Sequence, residues 1–125
     1  MRCFSTVITD VSDEARELVG GGVLILFAEG APPELAEVSV LHRVQQPPTA
    51  APPAVGATLS VAGFASRITA IGVYAWNKIG EMGHVVINFN GATTAPRPGE
   101  IAVESVDLEA LAEALRPGAE IWVET

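Results

Sequence analysis

The sequence predicts an all-β domain, either a closed barrel or a sandwich of about seven or eight short strands. Short runs rich in β-branched and aromatic residues are separated by turns that contain glycine or proline. Helical periodicity is confined to three short windows. The 125 residues fit one domain, spanning 1–125, and a hydrophobic content of 49% is enough to form a packed core.

Eight runs are predicted as strands because each is short, rich in β-formers and bounded by turn residues. In chain order they are Phe4–Val11, Val23–Phe27, Val38–Val44, Thr58–Val61, Arg67–Tyr74, His84–Phe89, Glu100–Val103 and Glu120–Val123. The separating turns include Gly20-Gly21-Gly22, Gly30-Ala31-Pro32-Pro33, Asn90-Gly91 and Pro98-Gly99.

The sequence predicts two or three short helices. Residues 12–18 begin with an N-cap serine and two acidic residues and stop at glycines, Ala75–Met82 ends at Gly83, and Asp107–Leu115 carries leucines at helical spacing. We expect these helices to cover the ends and corners of the β core.

Residues Gln45–Val55 contain four prolines among small residues. Proline lacks the backbone donor that a sheet requires, so this segment is predicted to be an exposed, polyproline-like loop.

Composition excludes several functional classes. Seven Lys+Arg against fifteen Asp+Glu give a net charge of -8, and the scattered basic residues form no stripe that would bind nucleic acid. The longest apolar stretch, Gly20–Ala28, is shorter than the roughly 20 residues of a membrane helix. Charged residues interrupt the N-terminus where a signal peptide would be apolar. We therefore expect a cytoplasmic protein that does not bind nucleic acid.

His42 is the first candidate for chemistry. Strand alternation places it on one face with Val38, Val40 and Val44, and Arg43 on the other. Burial beside apolar residues lowers the pKa of an imidazole and leaves a neutral nitrogen that can act as nucleophile or base. The same environment suits a structural histidine that donates to a backbone carbonyl.

The remaining candidates are weaker. His84 is predicted on the polar face of its strand with Val86 and Asn88, nearer solvent. Cys3, the single cysteine, is expected to be an inert buried or frayed thiol without an activating neighbour. No residues have the spacing of a recognised metal site, so we expect no metal and no cofactor.

Several short motifs follow one another from Val23 to Gly118. They are Val23–Phe27, Glu29-Gly30-Ala31-Pro32 with Glu34-Leu35 and Glu37, Leu41-His42, Thr69–Gly72, Gly83-His84-Val85, Phe89 with Gly91, Pro98-Gly99 and Pro117-Gly118. Each is weak alone. In this order they resemble the IIA component of the glucitol/sorbitol branch of the bacterial phosphoenolpyruvate-dependent sugar phosphotransferase system.

This resemblance implies a small, mostly antiparallel β barrel that carries a phosphoryl group. The group would pass from the phosphohistidine of HPr to His42, with His84 as an orienting neighbour, and then to the cysteine of a IIB component during polyol uptake. Contact with the membrane would occur only through the IIB/IIC complex. Two departures from the family pattern are the proline-rich loop after His42 and the loosely matching first 22 residues.

Two alternatives keep the same core. One is a regulatory or interaction module of the same fold that has lost the phosphorelay, and the other is a small barrel that binds an apolar metabolite. The sequence does not identify the polyol or the oligomeric state.

Overall fold

A computed structural model describes all residues, 1–125. Eight strands and four short helices follow one another along the chain. They are β1 (Arg2–Val11), α1 (Asp13–Gly20), β2 (Val23–Ala28), α2 (Pro33–Ala36), β3 (Val40–Gln46), β4 (Thr58–Val61), β5 (Phe64–Ile71), α3 (Ala75–Met82), β6 (Val85–Phe89), β7 (Glu100–Val103), α4 (Leu108–Ala114) and β8 (Glu120–Glu124).

The strands form a closed barrel in the order β1-β3-β2-β6-β7-β5-β4-β8. Six neighbouring pairs are antiparallel, whereas β2–β3 and β6–β7 are parallel. The all-β, mostly antiparallel barrel predicted from the sequence is therefore confirmed. Closure pairs every strand on both sides and leaves no open sheet edge.

One hydrophobic cluster takes residues from all eight strands and extends beneath three of the helices. Helix α1 contributes Ala15 and Val19, α3 contributes Trp76 and Ile79, and α4 contributes Leu111. The three predicted helices are thus amphipathic covers on the barrel, as expected. None of the four helices has the length and apolar character needed to cross a membrane.

The structure adds a fourth helix, α2, where the sequence indicated only a turn. Pro33 begins this single turn, and proline fits the first helical position because its missing N–H needs no partner there. The turn Ala62-Gly63 also shifts β5 toward the N-terminus relative to the predicted Arg67–Tyr74. Both residues have positive φ, 51° and 88°, and they close a tight β4–β5 hairpin before β5 begins at Phe64.

The prediction of a wholly exposed loop at Gln45–Val55 is wrong in part. Pro53 is buried, the Thr49 amide donates to the Cys3 carbonyl at 3.0 Å, and Trp76 Nε1 donates to the Thr49 carbonyl at 2.6 Å. These contacts fix the middle of the loop against β1 and α3, because Thr49, which joins no sheet, satisfies its backbone groups through Cys3 and Trp76 instead.

Cys3 belongs to β1 and is 4% exposed, which excludes the frayed position allowed above. Cys3 lies at an irregularity of the β1–β8 pairing, between Arg2 and Phe4, and belongs to the hydrophobic cluster.

Candidate functional site

His42 lies in β3, on the inner face of the barrel wall. Its Cα pairs with Ile8 of β1 on one side and Ala28 of β2 on the other. The predicted alternation holds within the strand, since Val40 is buried and Val44 packs against the core. Val38 precedes the strand and does not share this face. His42 is only 1% exposed.

Both ring nitrogens of His42 are hydrogen-bonded. Nε2 lies 2.6 Å from the Gly83 carbonyl oxygen, and Nδ1 lies 2.6 Å from Thr6 Oγ1. A carbonyl only accepts, so Nε2 carries the hydrogen and Nδ1 accepts from the Thr6 hydroxyl in the neutral ring. The ring is held in one tautomer, with a nitrogen-to-carbonyl bond of the kind that fixes ring orientation.

Burial keeps the His42 ring neutral. Desolvation lowers the pKa of His42 below its usual 6.5, although the Gly83 carbonyl and the charge of Glu29 act in the opposite direction. The edge of the ring also meets Phe4, with the centroids 6.4 Å apart. A neutral ring is the form that has a lone pair for attack on phosphorus.

Arg43 lies on the outer face, as alternation predicts. Its guanidinium binds the Glu29 carboxylate through two contacts of 2.8 and 3.2 Å. This hydrogen bond is the main reason that the pKa of Glu29 is lowered and that of Arg43 is raised. Arg43 is therefore paired and directed away from His42.

His84 immediately precedes β6 and is half-buried, as expected for a residue nearer solvent. Its Nδ1 donates to the Leu26 carbonyl at 3.0 Å, and its ring packs on Phe27 with centroids 5.0 Å apart. Because Nδ1 holds the hydrogen, Nε2 has the lone pair in the neutral ring, and it has no hydrogen-bond partner.

His84 lines an open cavity of about 410 Å³ on the outside of the barrel. Its wall consists of Tyr74, Lys78, His84, Val86, Arg97, Pro98, Gly99 and Glu100. His42 does not belong to this wall. His42 and His84 are far apart in the sequence, and the Gly83–His84 junction brings them near one another in the fold. Their surroundings differ, because His42 lies in the interior and His84 faces the cavity.

Gly83 is the point at which the two environments meet. It ends α3 in the left-handed conformation at φ +64°. A Cβ there would lie 2.9 Å from Ala28 Cβ and 3.1 Å from His42 Nε2, so only glycine fits without displacement of its neighbours.

Three residues of this region were not singled out from the sequence. Thr6 is separated from His42 by 36 positions, and only strand pairing brings them together. Gly83 was interpreted as a helix stop and as part of the motif Gly83-His84-Val85, but not as a partner of His42, and Lys78 was not considered. The one available signal was that Lys78 is the only lysine in the chain. No group of three or more His, Cys, Asp or Glu side chains is arranged to hold a metal ion.

Comparison with known proteins identifies a family for this architecture. The model of the family "PTS system glucitol/sorbitol-specific IIA component" matches residues 3–121. Proteins named PTS system glucitol/sorbitol-specific EIIA component from Shigella flexneri and from Escherichia coli K12 are each 32% identical over 100 residues, covering 80% of both chains. A crystal structure of a PTS system IIA component from Enterococcus faecalis V583 superposes with a TM-score of 0.67. It covers 97% of this chain and 99% of its own, and at 16% identity this match supports the fold alone.

Proposed function

Because this chain belongs to the glucitol/sorbitol-specific IIA family of the sugar phosphotransferase system, we propose that it is a histidine phosphoryl carrier of polyol uptake. It accepts the phosphoryl group from the phosphohistidine of HPr and passes it to the cysteine of a IIB component. His42 is the acceptor in this proposal. The protein acts in the cytoplasm and meets the membrane only through the IIB/IIC complex.

The observation that carries this assignment is the neutral, hydrogen-bonded state of His42. Phosphoryl transfer of this kind needs little beyond a correctly placed nucleophile and stabilisation of the phosphoryl oxygens. Here the ring is kept neutral by burial and is oriented by Thr6 and Gly83. A neutral imidazole has one nitrogen lone pair, which becomes available at Nε2 once the ring hydrogen is exchanged to Nδ1.

The side from which a phosphoryl donor can reach the His42 ring favours Nε2 as the attacking atom. Thr6, which binds Nδ1, is 1% exposed and lies on a strand paired on both sides. Gly83, which covers Nε2, lies between the exposed Met82 and the half-buried His84. Displacing the Gly83 carbonyl is therefore the shorter route to the ring.

The Thr6 hydroxyl makes this route chemically feasible. A hydroxyl both donates and accepts, so Thr6 can receive the hydrogen bond from Nδ1 when the tautomer changes. In that change Nε2 releases its proton to water once the Gly83 carbonyl is displaced, and Nδ1 gains a proton, so the ring stays neutral. The Nε2 lone pair then forms the new N–P bond, and the electron pair of the breaking P–N bond returns to the ring of HPr. Passage to the IIB cysteine exchanges the N–P bond for an S–P bond.

One observation favours a second candidate, a module that has kept the fold and lost the phosphorelay. Both nitrogens of His42 are satisfied and the ring is buried, which is also the arrangement of a structural histidine. A regulatory or ligand-binding barrel would retain the same arrangement.

The test is phosphorylation by phosphoenolpyruvate, enzyme I and HPr, followed by intact mass measurement. We expect a mass increase of one phosphoryl group that is lost in acid and stable in base. Peptide mapping of the wild-type protein should place it on His42, and ³¹P NMR should assign it to Nε2. Mapping needs no variant, so it stands even if a substitution at His42 disturbs folding.

His42→Gln and His84→Gln form a matched pair of variants. The first should abolish acceptance while circular dichroism shows a folded protein, and the second should slow acceptance without abolishing it. An acid-labile phosphate on His84 with none on His42 would reverse the two roles. No phosphate on the wild-type protein would favour the non-catalytic module.

A further inference from the structure

The outer cavity beside His84 holds an unusual concentration of positive charge for this acidic chain. Its two cations are Lys78, the only lysine, and Arg97, and the half-buried His84 lies in the same wall. The net charge of the whole protein is -8. Basic groups gathered in one cavity of such a protein indicate an anionic ligand.

Lys78 has no acidic partner. It takes part in none of the salt bridges of the structure and makes no side-chain hydrogen bond, although the chain contains fifteen Asp and Glu residues. Its side chain is half-buried and lies over Gly99, where a Cβ would come within 3.4 Å of Lys78 Nζ. The ammonium group is thus held at the cavity wall with its hydrogen-bond donors unused.

The one carboxylate of the wall is already neutralised by other groups. Glu100 is 7% exposed, accepts from Asn88 Nδ2 at 2.8 Å and lies 3.5 Å from Arg97. The charge of Lys78 is therefore available to a ligand in this cavity.

From these contacts we propose that the cavity lined by Lys78, His84 and Arg97 binds the phosphoryl group while it is transferred. This inference rests on the proposed function and adds a positioning residue, Lys78, to it. The ligand is a phosphate dianion carried on an imidazole ring of the donor protein. An ammonium group is a strong point-charge partner for phosphate oxygens, and it neutralises the charge that spreads over those oxygens in a loose transition state.

The location fits the route of attack. Gly83, whose carbonyl covers His42 Nε2, is followed directly by His84 in the cavity wall. A phosphoryl group placed there is next to the junction that must open. The cavity is also accessible from outside, as the phosphohistidine of a partner protein requires, whereas the interior around Thr6 is closed.

The first experiment measures binding of inorganic phosphate at constant ionic strength by ¹H–¹⁵N NMR. We expect saturable shifts at Lys78, His84 and Gly99 with a Kd in the millimolar range, typical of a few charge-assisted contacts without a transferable group (about 1–10 mM). Lys78→Gln should weaken binding about tenfold. Arg116→Gln is the matched control, because Arg116 is an exposed, unpaired cation in a different cavity.

The second experiment measures the rate of phosphoryl acceptance from phosphorylated HPr. Lys78→Gln should lower the maximal rate at least tenfold, Lys78→Arg should recover most of it, and Arg116→Gln should match the wild type. Recovery by arginine separates a role of the charge from a role in packing. Urea unfolding of each variant confirms that equal amounts of folded protein are compared.

The results separate this inference from the proposed function. Phosphate binding that is absent, or unchanged in Lys78→Gln, overturns the inference even if His42 is phosphorylated normally. Phosphate binding that depends on Lys78, in a wild-type protein that never accepts a phosphoryl group, refutes the carrier function and the transfer role of the cavity, and leaves a phosphate-binding site.

Discussion

Replacing Thr6 with valine tests the hydrogen bond that orients His42. Thr6 is 1% exposed, and its hydroxyl lies 2.6 Å from His42 Nδ1. Valine has nearly the same shape, prefers the same strand conformation and exchanges the hydroxyl for a methyl group. The substitution therefore removes one hydrogen bond and leaves the packing of β1 against β3 and β8 in place.

The expected loss of stability comes from His42 Nδ1, which loses its hydrogen-bond partner in this variant. Without Thr6, the Nδ1 atom of a 1% exposed ring has no donor, and an unsatisfied buried acceptor costs about 1–3 kcal/mol. Burial of the added methyl group stabilises the variant by up to about 0.8 kcal/mol, which partly offsets this cost. The free energy of unfolding should fall by about 1–2 kcal/mol, which lowers the urea midpoint by roughly 0.5–1 M for a domain of this size.

Thr9→Val in the same strand is the control. The Thr9 hydroxyl is buried and has no hydrogen-bond partner, so its removal should leave stability unchanged or slightly higher. Urea unfolding followed by circular dichroism compares both variants with the wild type. Ring ¹⁵N shifts should show hydrogen on Nε2 and none on Nδ1 of His42 at neutral pH in the wild type.

Equal urea midpoints for Thr6→Val and Thr9→Val would refute the argument that the Thr6 hydroxyl is a required partner. A wild-type ring with its hydrogen on Nδ1 would refute the assigned tautomer. Slower phosphoryl acceptance by Thr6→Val, by about tenfold or more, would further support the role of the hydroxyl in exchanging tautomers.

Three further predictions concern the same wall of the barrel. Gly83→Ala should lower the free energy of unfolding by about 2–4 kcal/mol, because of left-handed backbone strain and contact with Ala28. Gly91→Ala is the control: Gly91 has φ +67° and open space around it, so this variant should lose only the strain energy. Equal urea midpoints for the two variants would contradict this prediction. Cys3→Ser should cost about 1–3 kcal/mol because a hydroxyl replaces a thiol that is 4% exposed; an unchanged midpoint would argue against this burial. Burial lowers the pKa of His42 below 6.5, so between the folded-state pKa and pH 6.5 the unfolded chain binds more protons than the folded protein. The free energy of unfolding should keep the full contribution of His42 above pH 6.5 and fall below that pH by at most about 1.4 kcal/mol per pH unit. His42→Gln should remove this pH dependence.

The positions of the strands along the chain and the inward direction of His42 could be predicted because both depend on local pattern. Alternation about Val40 and His42 is a property of a few consecutive residues. The pairing of Thr6 with His42 depends instead on the register of β1 against β3, which has a shift between Ile8 and Asp10. A bulge of this kind changes which residues face one another and leaves little trace in the sequence.

The loop after His42 is a second feature that could be predicted from the sequence only in part. β3 extends through Gln46, two residues into the predicted loop, and no strand forms in the rest of it. Its prolines correctly predicted this absence, since they lack the donor that a ladder requires. They did not show that Trp76, from a helix more than twenty residues later, would donate to the Thr49 carbonyl. The cavity beside His84 was also beyond prediction, because Lys78 and Arg97 meet there only through the packing of α3 beside the start of β7.

A phosphorylated protein should reveal which side of the barrel wall holds the phosphoryl group. The interior side of His42 is closed by Phe4 and Thr6 and offers no cationic group to a dianion. The free-energy cost of burying an unpaired dianion there would be far larger than contacts with these interior residues could offset. We therefore expect the phosphoryl group to lie toward Gly83 and the outer cavity. Amide and side-chain NMR signals of Lys78 and of the residues around Gly83 should then shift on phosphorylation, while the backbone amide of Phe4 stays nearly unchanged. Large shifts at Phe4, with none at Lys78, would place the group in the interior and would refute attack through Nε2.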